Sequence, residues 1–316
     1  MATLGRTSLE VPRLGLGAMT WGAPTGLARF HPAKIAYGGT DSAAAEADAF
    51  EASLVAGVAL FDTAATYSGG AAEIRLGELA AGRDVLIASK FPHGFFGFKA
   101  EDFPAQLAGS LGRLRRTSID LYQHHFPART DIARLMNLMA DAVEAGQIKA
   151  VGVSNYSAAQ MREAHAVLAR RGMPLASNQV QYSLLHRAPE TDGVLEACRD
   201  LSVTLIAYSP LAMGMLSGKY SGTEMATGLR RLMPNFSRSG RAATRPVVEL
   251  IRRIGDAHGK TPSQVALRWL IENPVVLPIP GAKNGRQAEQ NAGALSFALT
   301  PEEVAEIDRA TIAWKR

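Results

Sequence analysis

The sequence predicts an α/β protein of the (β/α)8 barrel class, and three observations support this fold. Short apolar runs rich in β-branched residues recur eight times along the chain, at 14–19, 59–63, 84–90, 119–125, 150–154, 176–180, 203–209 and 275–279. Most neighbouring runs are separated by one segment whose apolar residues have helical spacing. This alternation implies parallel strands covered by helices, and eight such units favour a closed barrel over an open sheet.

The helical segments carry their own start and stop signals. In residues 130–147 the apolar positions recur every three or four residues, and a glycine stands near the end. These apolar positions are Ile132, Leu135, Met136, Met139 and Val143. Thr261 and Thr300 each precede a proline and are followed three positions later by Gln264 or Glu303. Both patterns are capping boxes with proline at the first helical position, so they predict two helix starts.

Two segments fall outside the alternation. Residues 7–15 (TSLEVPRLG) lead into the first strand and could form a short N-terminal β-hairpin that closes the barrel floor. Residues 217–245 follow the seventh strand and form a long polar stretch rich in Gly, Ser and Arg. Long loops at this end of a barrel are usually lids or binding loops. Since no linker divides the chain, we expect residues 1–316 to form a single barrel domain.

Composition limits the class of function. The chain has 316 residues, 47% hydrophobic and 20% charged, which is typical of a globular protein. The net charge of +5 is spread out rather than gathered in the aromatic-interleaved stripe of nucleic-acid binders. It indicates either a solvated surface or a mild attraction for an anionic small ligand. The one cysteine, Cys198, excludes an intrachain disulfide and lies in a helical pattern as a small hydrophobe. Without a signal-peptide core or a membrane-spanning run, we expect a cytoplasmic protein.

Titratable side chains gather at the ends of three consecutive strands. Asp62 ends the second strand with Tyr67 just beyond it, Lys90 ends the third, and His124 and His125 end the fourth. Singly, each has an ordinary explanation, such as a helix cap, a half-buried aromatic or a rim charge. Because barrel enzymes place catalytic groups at the C-terminal ends of strands, their coincidence predicts one shared site.

The chemistry of these groups fits the reduction of a carbonyl. A nearby ammonium lowers the pKa of a phenol from about 10, and Lys90, held by Asp62, would act in this way on Tyr67. Hydride would reach the carbon while the phenol protonates the oxygen, and a histidine would orient the substrate. Adjacent strand residues face opposite sides, so only one of His124 and His125 faces the mouth, and a metal site is not expected. A Schiff-base enzyme with Lys90 as nucleophile stays open.

Seven motifs, in order and spacing, resemble the aldo-keto reductases. They are FDTAATYSGG, IASK, SIDLYQHHFP, VGVSNYS, NQVQYSLL, AYSPLAMGMLSGK and PIPGAKN, and they cover nearly the whole chain. The nearest branch has the signatures Y-S-P-L and P-G-A-(R/K). The resemblance implies a (β/α)8 barrel that binds NADPH without a Rossmann fold and reduces aldehydes or ketones to alcohols. It implies that Tyr67 is the general acid, that Asp62 and Lys90 tune it and that His125 orients the substrate, with the role of His124 open.

The resemblance also implies a cofactor site. Ser154, Asn155 and Gln179 match residues that bind the nicotinamide carboxamide, and Tyr208 matches the aromatic on which the ring stacks. The segment facing the pyrophosphate would comprise Ser209, Pro210, Leu211, Gly214 and Lys219. The residues near the 2′-phosphate and adenine would be Gly281, Ala282, Lys283, Gln287 and Asn291, and Trp21 and Asp62 complete the set. We expect NADPH, since a helix N-terminus after the eighth strand would help bind the 2′-phosphate. NADH stays possible, because Lys283 or Gln287 stands where the family often has arginine, and lysine makes no bidentate phosphate contact.

The implied substrate contacts are Trp21, Tyr67, Phe91 and His125. Residues 91–98 (FPHGFFGF) predict either a hydrophobic wall for aromatic or aliphatic carbonyls or a loop packed on a helix or another subunit. Ser68 and Ala72 depart from the family pattern, where Gly and Ser are usual. The alternative function that the resemblance implies is an NADPH-binding regulatory or redox-sensor module with slow turnover.

Overall fold

A computed structural model describes residues 1–24, 42–92, 97–128, 130–220 and 234–315. The strands are β1 (Ala2–Thr3), β2 (Glu10–Val11), β3 (Leu16–Gly17), β4 (Leu60–Asp62), β5 (Leu86–Phe91), β6 (Ile119–His124), β7 (Ile148–Ser154), β8 (Leu175–Gln181), β9 (Thr204–Tyr208) and β10 (Val276–Pro278). The helices are α1 (Ala43–Val55), α2 (Ala71–Leu79), α3 (Phe103–Leu114), α4 (Ile132–Glu144), α5 (Ala158–Ala169), α6 (Val194–Leu201), α7 (Arg238–His258), α8 (Pro262–Glu272), α9 (Gly285–Ala292) and α10 (Pro301–Ala310).

Strands β3 to β10 form one parallel sheet in chain order, and its two ends meet. Gly17 makes a parallel bridge to Gly281, just beyond β10. Gly15 N donates to Pro278 O at 3.0 Å, and Gly17 N donates to Pro280 O at 3.0 Å. The predicted (β/α)8 barrel is confirmed, and the eight predicted strands correspond to β3–β10 with shifts of a few residues at their ends.

The predicted hairpin is confirmed, but it starts earlier than residue 7, because β1 pairs antiparallel with β2. Leu4 and Val11 pack against inward-facing apolar side chains at the N-terminal end of the barrel. These include Leu60, Ala88, Leu121, Ala150, Ile206 and Leu277. Gly5 has φ +57°, and a Cβ there would lie 2.6 Å from Ala176 O, so only glycine fits this close approach. The hairpin therefore closes the floor and leaves the opposite rim as the mouth.

The helices surround the barrel and bury the outward faces of its strands. Helices α8 and α10 begin as predicted, each with a capping box and a proline in the first turn. Four of the five apolar positions expected in α4 are buried, and Val143 is half-buried. Cys198 is fully buried in α6, as its pattern indicated. No described helix has the length and apolar character needed to cross a bilayer.

The polar stretch 217–245 is not a loop throughout. Ser237 caps α7 by accepting a hydrogen bond from Gly240 N at 3.0 Å, so residues 238–245 are helical. The later turns of α7 bury Val247 and Ile251, which explains why the helix extends over these polar residues. The expected lid or binding loop lies partly outside the described residues, since these omit 221–233. The expected wall or packed loop FPHGFFGF lies partly outside them as well, at residues 93–96.

Candidate active site

Asp62 and Lys90 form a buried ion pair at the C-terminal ends of β4 and β5. Side chains alternate along a strand, so Asp62 follows Leu60 and Lys90 follows Ala88 on the inward face. Lys90 Nζ donates to Asp62 Oδ1 at 2.5 Å and to Thr63 O at 2.7 Å. Both side chains are almost completely removed from solvent. The ammonium is therefore fixed in place by its acceptors.

Opposing effects act on the Lys90 ammonium. Burial lowers its pKa because it disfavours the charged form, while the carboxylates of Asp62 and Glu73 raise it. Glu73 is itself fully buried in α2 and pairs with Arg113 Nε at 2.7 Å. Arg113, although partly exposed, thus pairs with a buried carboxylate. The proton on Lys90 consequently depends on Asp62 keeping its position.

Tyr67 and His125 lie over this pair. Lys90 Nζ is 5.0 Å from the centroid of the half-buried Tyr67 ring. The rings of Tyr67 and His125 meet edge to face, with centroids 5.7 Å apart and planes at 80°. The structure therefore brings the four side chains Asp62, Tyr67, Lys90 and His125 to one rim of the barrel.

The backbone that carries Tyr67 has an unusual conformation. In the 3-10 turn Tyr67–Gly70, Ser68 has φ +52°, Gly69 has φ +67° and Gly70 has φ +92°. The buried Ser68 hydroxyl donates to Trp21 O at 3.1 Å, which ties the turn to the segment after β3. Such left-handed positions outside glycine are uncommon and often accompany functional loops.

The two neighbouring histidines face different environments. His124 is fully buried toward the helices, with Nδ1 2.7 Å from Tyr156 Oη. His125 lies at the rim and stacks on Phe126, with centroids 5.2 Å apart and planes at 25°. Only one of the two histidines faces the mouth, as expected, and this histidine is His125.

Phe91 is placed differently from the substrate contact expected of it. Its ring is 1% exposed and packs 5.6 Å from Phe103 and 5.7 Å from His124, in the helix layer. The reason is alternation: because Lys90 faces the barrel interior, the next residue must face outward. Phe91 therefore does not line the mouth.

Trp21 is also buried rather than lining an open surface. It is fully removed from solvent, and its Nε1 donates to Ala282 O at 2.9 Å. Its carbonyl oxygen accepts from Ser68. Trp21 thus joins the turn of Tyr67 to the segment after β10, and its expected contact with the substrate stays a prediction.

Two amides hold the second oxygen of Asp62. Gln179 Nε2 donates to Asp62 Oδ2 at 2.8 Å, and Gln123 Nε2 donates to the same oxygen at 3.3 Å. Sequence reasoning had not singled out Gln123. The signal was available, because alternation along β6 places Gln123 on the same face as Leu121 and His125.

The residues expected at the carboxamide form one hydrogen-bonded cluster on β7, β8 and β9. Asn155, with φ +59°, donates through Nδ2 to His125 O at 3.1 Å and to Ser154 Oγ at 3.0 Å. Tyr208 Oη donates to Asn155 Oδ1 at 3.0 Å. Ser154 Oγ donates to Gln179 O at 2.8 Å. The cluster is therefore continuous with the backbone of His125.

The segment after β9 has a concentration of left-handed backbone. Positive φ angles occur at Ser209, Ala212, Met213 and Gly214, and the 3-10 turn Ala212–Ser217 is kinked by them. Pro210 and Leu211 lie within this segment, and Lys219 is exposed at its end. Strain of this kind is typical of ligand-binding segments.

Cations and amides surround the start of α9. Lys283 precedes the N-cap residue Asn284, and its backbone N donates to Gln287 Oε1 at 2.9 Å. Asn291 Nδ2 donates to Gly281 O at 3.2 Å, which holds the segment before the helix against its last turn. Arg286, which sequence reasoning passed over, adds an exposed guanidinium in the first turn. The helix N-terminus and these cations together favour an anion.

A cavity of about 330 Å³ lies against Asn155 and Tyr208. Gln181 and His186 line it, whereas Tyr67 and Lys90 do not. Burial lowers the pKa of the His186 imidazole. This cavity therefore marks the outer edge of the carboxamide cluster rather than the place where the ion pair acts. In the part of the chain that the structure describes, no three metal-ligating side chains gather into a cluster.

Comparison with known proteins identifies the family. The model of the Aldo/keto reductase family matches residues 13–312. The chain is 35% identical over 311 residues to the aldo-keto reductase str7 of Strobilurus tenacellus, covering 94% of this chain and 88% of that protein. It is 36% identical over 279 residues to a chloroplastic pyridoxal reductase of Arabidopsis thaliana, covering 83% and 75%. The chain belongs to the aldo/keto reductase family of oxidoreductases.

A solved structure is similar in fold as well as sequence. An aldo-keto reductase from Klebsiella pneumoniae, crystallised in complex with NADPH, superposes with a TM-score of 0.72 at 27% identity. The similarity covers 98% of this chain and 95% of that one. The barrel and its order of elements are therefore those of the family.

Proposed function

We propose that this protein is an NADPH-dependent oxidoreductase that reduces aldehyde or ketone carbonyls to alcohols, with Tyr67 as general acid. One observation carries the proposal: the Lys90 ammonium is buried between the Asp62 carboxylate and the face of Tyr67, and His125 meets the same ring. This arrangement supplies a proton donor, a fixed positive charge beside it and a second polar group at one rim.

Each side chain has a separate task in this proposal. Tyr67 gives its proton to the carbonyl oxygen as negative charge develops there. Lys90 stabilises the phenolate that remains, and Asp62 keeps Lys90 in position. His125 would hydrogen-bond the same oxygen and orient the carbonyl group. NADPH, when bound, supplies a hydride to the carbonyl carbon.

The residues present fit this cofactor. Within the described chain, Gln179 Oε1 accepts no hydrogen bond, so it offers an acceptor for the carboxamide N–H groups. The half-buried Tyr208 ring lies beside Asn155, at the position where the family resemblance implies stacking on the nicotinamide. Lys283 and Arg286 at the start of α9 suit the 2′-phosphate that distinguishes NADPH from NADH. The NADPH complex of the Klebsiella pneumoniae relative supports the same choice.

The substrate class is proposed from the rim. Phe126 stacks on His125 and is half-buried, so an apolar ring lies next to the proposed donor. This favours aromatic or aliphatic carbonyl compounds over highly charged ones. Pyridoxal belongs in the test panel because a relative from Arabidopsis thaliana is named a pyridoxal reductase.

The decisive experiment follows NADPH oxidation by wild type and Tyr67→Phe with a panel of aldehydes and ketones. We expect kcat of the variant to fall by about 10²- to 10⁴-fold, because the proton donor is lost. The dissociation constant for NADPH, measured by fluorescence, should stay close to that of wild type. Tyr122→Phe is the matched control, since Tyr122 bonds Ser110 in the helix layer and faces away from the mouth.

Three results would contradict the proposal. Full activity of Tyr67→Phe would remove Tyr67 as the acid. Tight NADPH binding by wild type without turnover of any carbonyl would support the regulatory or redox-sensor alternative. Trapping of a carbonyl on Lys90 by borohydride would support the Schiff-base alternative, which the complete burial of Lys90 and its two acceptors disfavour.

A further inference from the structure

The two carboxylate oxygens of Asp62 accept hydrogen bonds from different donors. Oδ1 accepts from Lys90, whereas Oδ2 accepts from Gln179 at 2.8 Å and from Gln123 at 3.3 Å. A carboxylate held by donors on both oxygens cannot rotate without breaking a bond to one of them. The geometry of the ion pair is therefore set by the two amides as well as by Lys90.

Gln123 also contacts the second amide. Its Oε1 lies 3.5 Å from Gln179 Nε2 and 3.5 Å from Ser177 Oγ, and its side chain is fully buried. Gln179 Nε2 thus has two acceptors, one on Asp62 and one on Gln123. Both acceptors favour the rotamer in which the nitrogen of the Gln179 amide points inward and its oxygen points away from Asp62.

The barrel makes room for this amide. Gly152 on β7 has no side chain, and a Cβ at this position would lie 2.8 Å from Gln123 Cγ and even closer to Ser177 Oγ. A buried amide costs free energy unless it is hydrogen-bonded, and an apolar side chain would fill the same space without that cost. Packing alone therefore does not explain why a glutamine stands at position 123.

We propose that Gln123 is a positioning residue that acts through Asp62 and Gln179. Resting on the function proposed above, this inference makes one rigid network responsible for two tasks. Through Asp62, Gln123 fixes the ammonium beside Tyr67. Through Gln179, it fixes the amide offered to the nicotinamide carboxamide. Loss of Gln123 then weakens both the chemical step and the binding of the cofactor.

The test uses Gln123→Met, which keeps an unbranched side chain of similar length and removes the amide. We expect kcat to fall about 10- to 100-fold, because a displaced group beside the reacting atoms loses catalytic efficiency. The dissociation constant for NADPH should rise several-fold, and the pH profile of kcat should be displaced because the surroundings of Lys90 change. Gln147→Met is the matched control, since Gln147 is exposed near the N-terminal end of β7.

A second variant and a second readout keep the inference decisive. Gln123→Glu retains the shape but places a carboxyl group next to the Asp62 carboxylate, and burial and the like charge raise its pKa. At a pH that ionises the new carboxyl group the donor to Asp62 is lost, so activity should fall at least as far as in Gln123→Met. Crystal structures of wild type and Gln123→Met without cofactor should show Asp62 or Gln179 rotated in the variant. This readout needs neither turnover nor cofactor binding.

The outcomes separate the two proposals. If the Gln123 variants keep wild-type kcat, NADPH affinity, pH profile and side-chain positions, Gln123 has no positioning role. If wild type itself neither binds NADPH nor reduces a carbonyl, the proposed function is wrong. In that case the crystal structures still decide whether Gln123 holds Asp62 and Gln179.

Discussion

The backbone at Ser68 shows how one residue supports the rim. Its φ of +52° is a conformation that glycine adopts without strain, and glycine is what the family pattern suggests there. The serine side chain compensates in part, because its buried hydroxyl donates to Trp21 O. Serine at this position therefore strains the backbone but gains a hydrogen bond to the segment after β3.

Substitution of Ser68 should separate these two effects. Ser68→Ala keeps the backbone strain and leaves Trp21 O without this donor, so we expect the free energy of unfolding to fall by about 1–2 kcal/mol. Ser68→Gly loses the same bond but relieves the strain, and the two changes should nearly cancel. Urea unfolding measures both variants. Equal destabilisation by alanine and glycine would show that the strain at this position is negligible.

The alternation of a single strand explains much of what could be predicted about the site. It predicts that His125 and His124 lie on opposite faces. Applied to β5, the same rule predicts that Phe91 faces away from the mouth. Applied to β6 it would have selected Gln123 as well. The hydrogen bonds that Gln123 makes could not be predicted in this way, because they join strands far apart in the chain, such as β6 and β8.

At the scale of elements, the register between β6, β7 and β8 depends on Gly152. Strand β7 has a register irregularity between Val151 and Gly152, where it pairs with β8. Side chains from both neighbouring strands, Gln123 and Ser177, occupy the space beside this glycine. Close contact between three strands is thus obtained by omitting one side chain.

Gly152→Ala should therefore be destabilising. We expect a loss of about 1–3 kcal/mol in the free energy of unfolding, because the new methyl group overlaps two buried side chains. Gly112→Ala on α3 is the control, since a Cβ there meets none of the described residues within 4 Å and alanine favours a helix by up to about 1 kcal/mol. Chemical denaturation compares the two. A neutral Gly152→Ala would mean that the barrel relaxes around the methyl group.

Elements were more predictable than their contacts. The strands and helices follow from local periodicity and the helix caps from four-residue patterns, which is why α8 and α10 begin where Thr261 and Thr300 indicated. The hairpin was placed too late because its first strand has only two residues, Ala2–Thr3, and so no periodicity. Helix α7 was missed at its start because its first turns are polar and its burial begins only later.

At the scale of the whole molecule, Arg187 ties the segment after β8 to the C-terminal end of the described chain. Its buried guanidinium pairs with Glu190 at 2.6 Å and Asp308 at 2.9 Å, and it bonds Thr311 Oγ1 at 2.5 Å. Its backbone N donates to Trp314 O at 2.7 Å. No local pattern encodes partners more than a hundred residues apart, so sequence reasoning could not find this contact.

Arg187→Met should lower the free energy of unfolding by about 3–5 kcal/mol, since it leaves a largely buried carboxylate on Glu190 with fewer partners. Arg245→Met removes an exposed pair with Glu249 and should cost no more than about 1 kcal/mol. Urea unfolding of both variants gives the comparison. We also propose that residues 1–316 form a single domain, which predicts one cooperative transition in wild type. A small effect of Arg187→Met would show that water solvates the Glu190 and Asp308 carboxylates in the variant.

Alkaline pH should destabilise the protein through its buried phenols. Burial raises the pKa of Tyr122, Tyr156 and Tyr182 well above the ordinary value of about 10. Above that pH the unfolded chain releases protons that the folded chain retains, so stability present below about pH 10 is lost as pH rises further. Tyr182→Phe should reduce this pH slope by about one proton relative to wild type. An unchanged slope would mean that Tyr182 ionises in the folded state.

His124 and His125 face opposite sides of the barrel wall, so their imidazole groups can serve as spectroscopic reporters of two different environments. The chain has only seven histidines, so their imidazole proton resonances can be assigned one by one with substitutions. His124, against Tyr156, reports the integrity of the helix layer, while His125, against Tyr67, reports events at the rim. A titrated compound that moves only the His125 resonance binds at the mouth, and one that moves both resonances perturbs the fold.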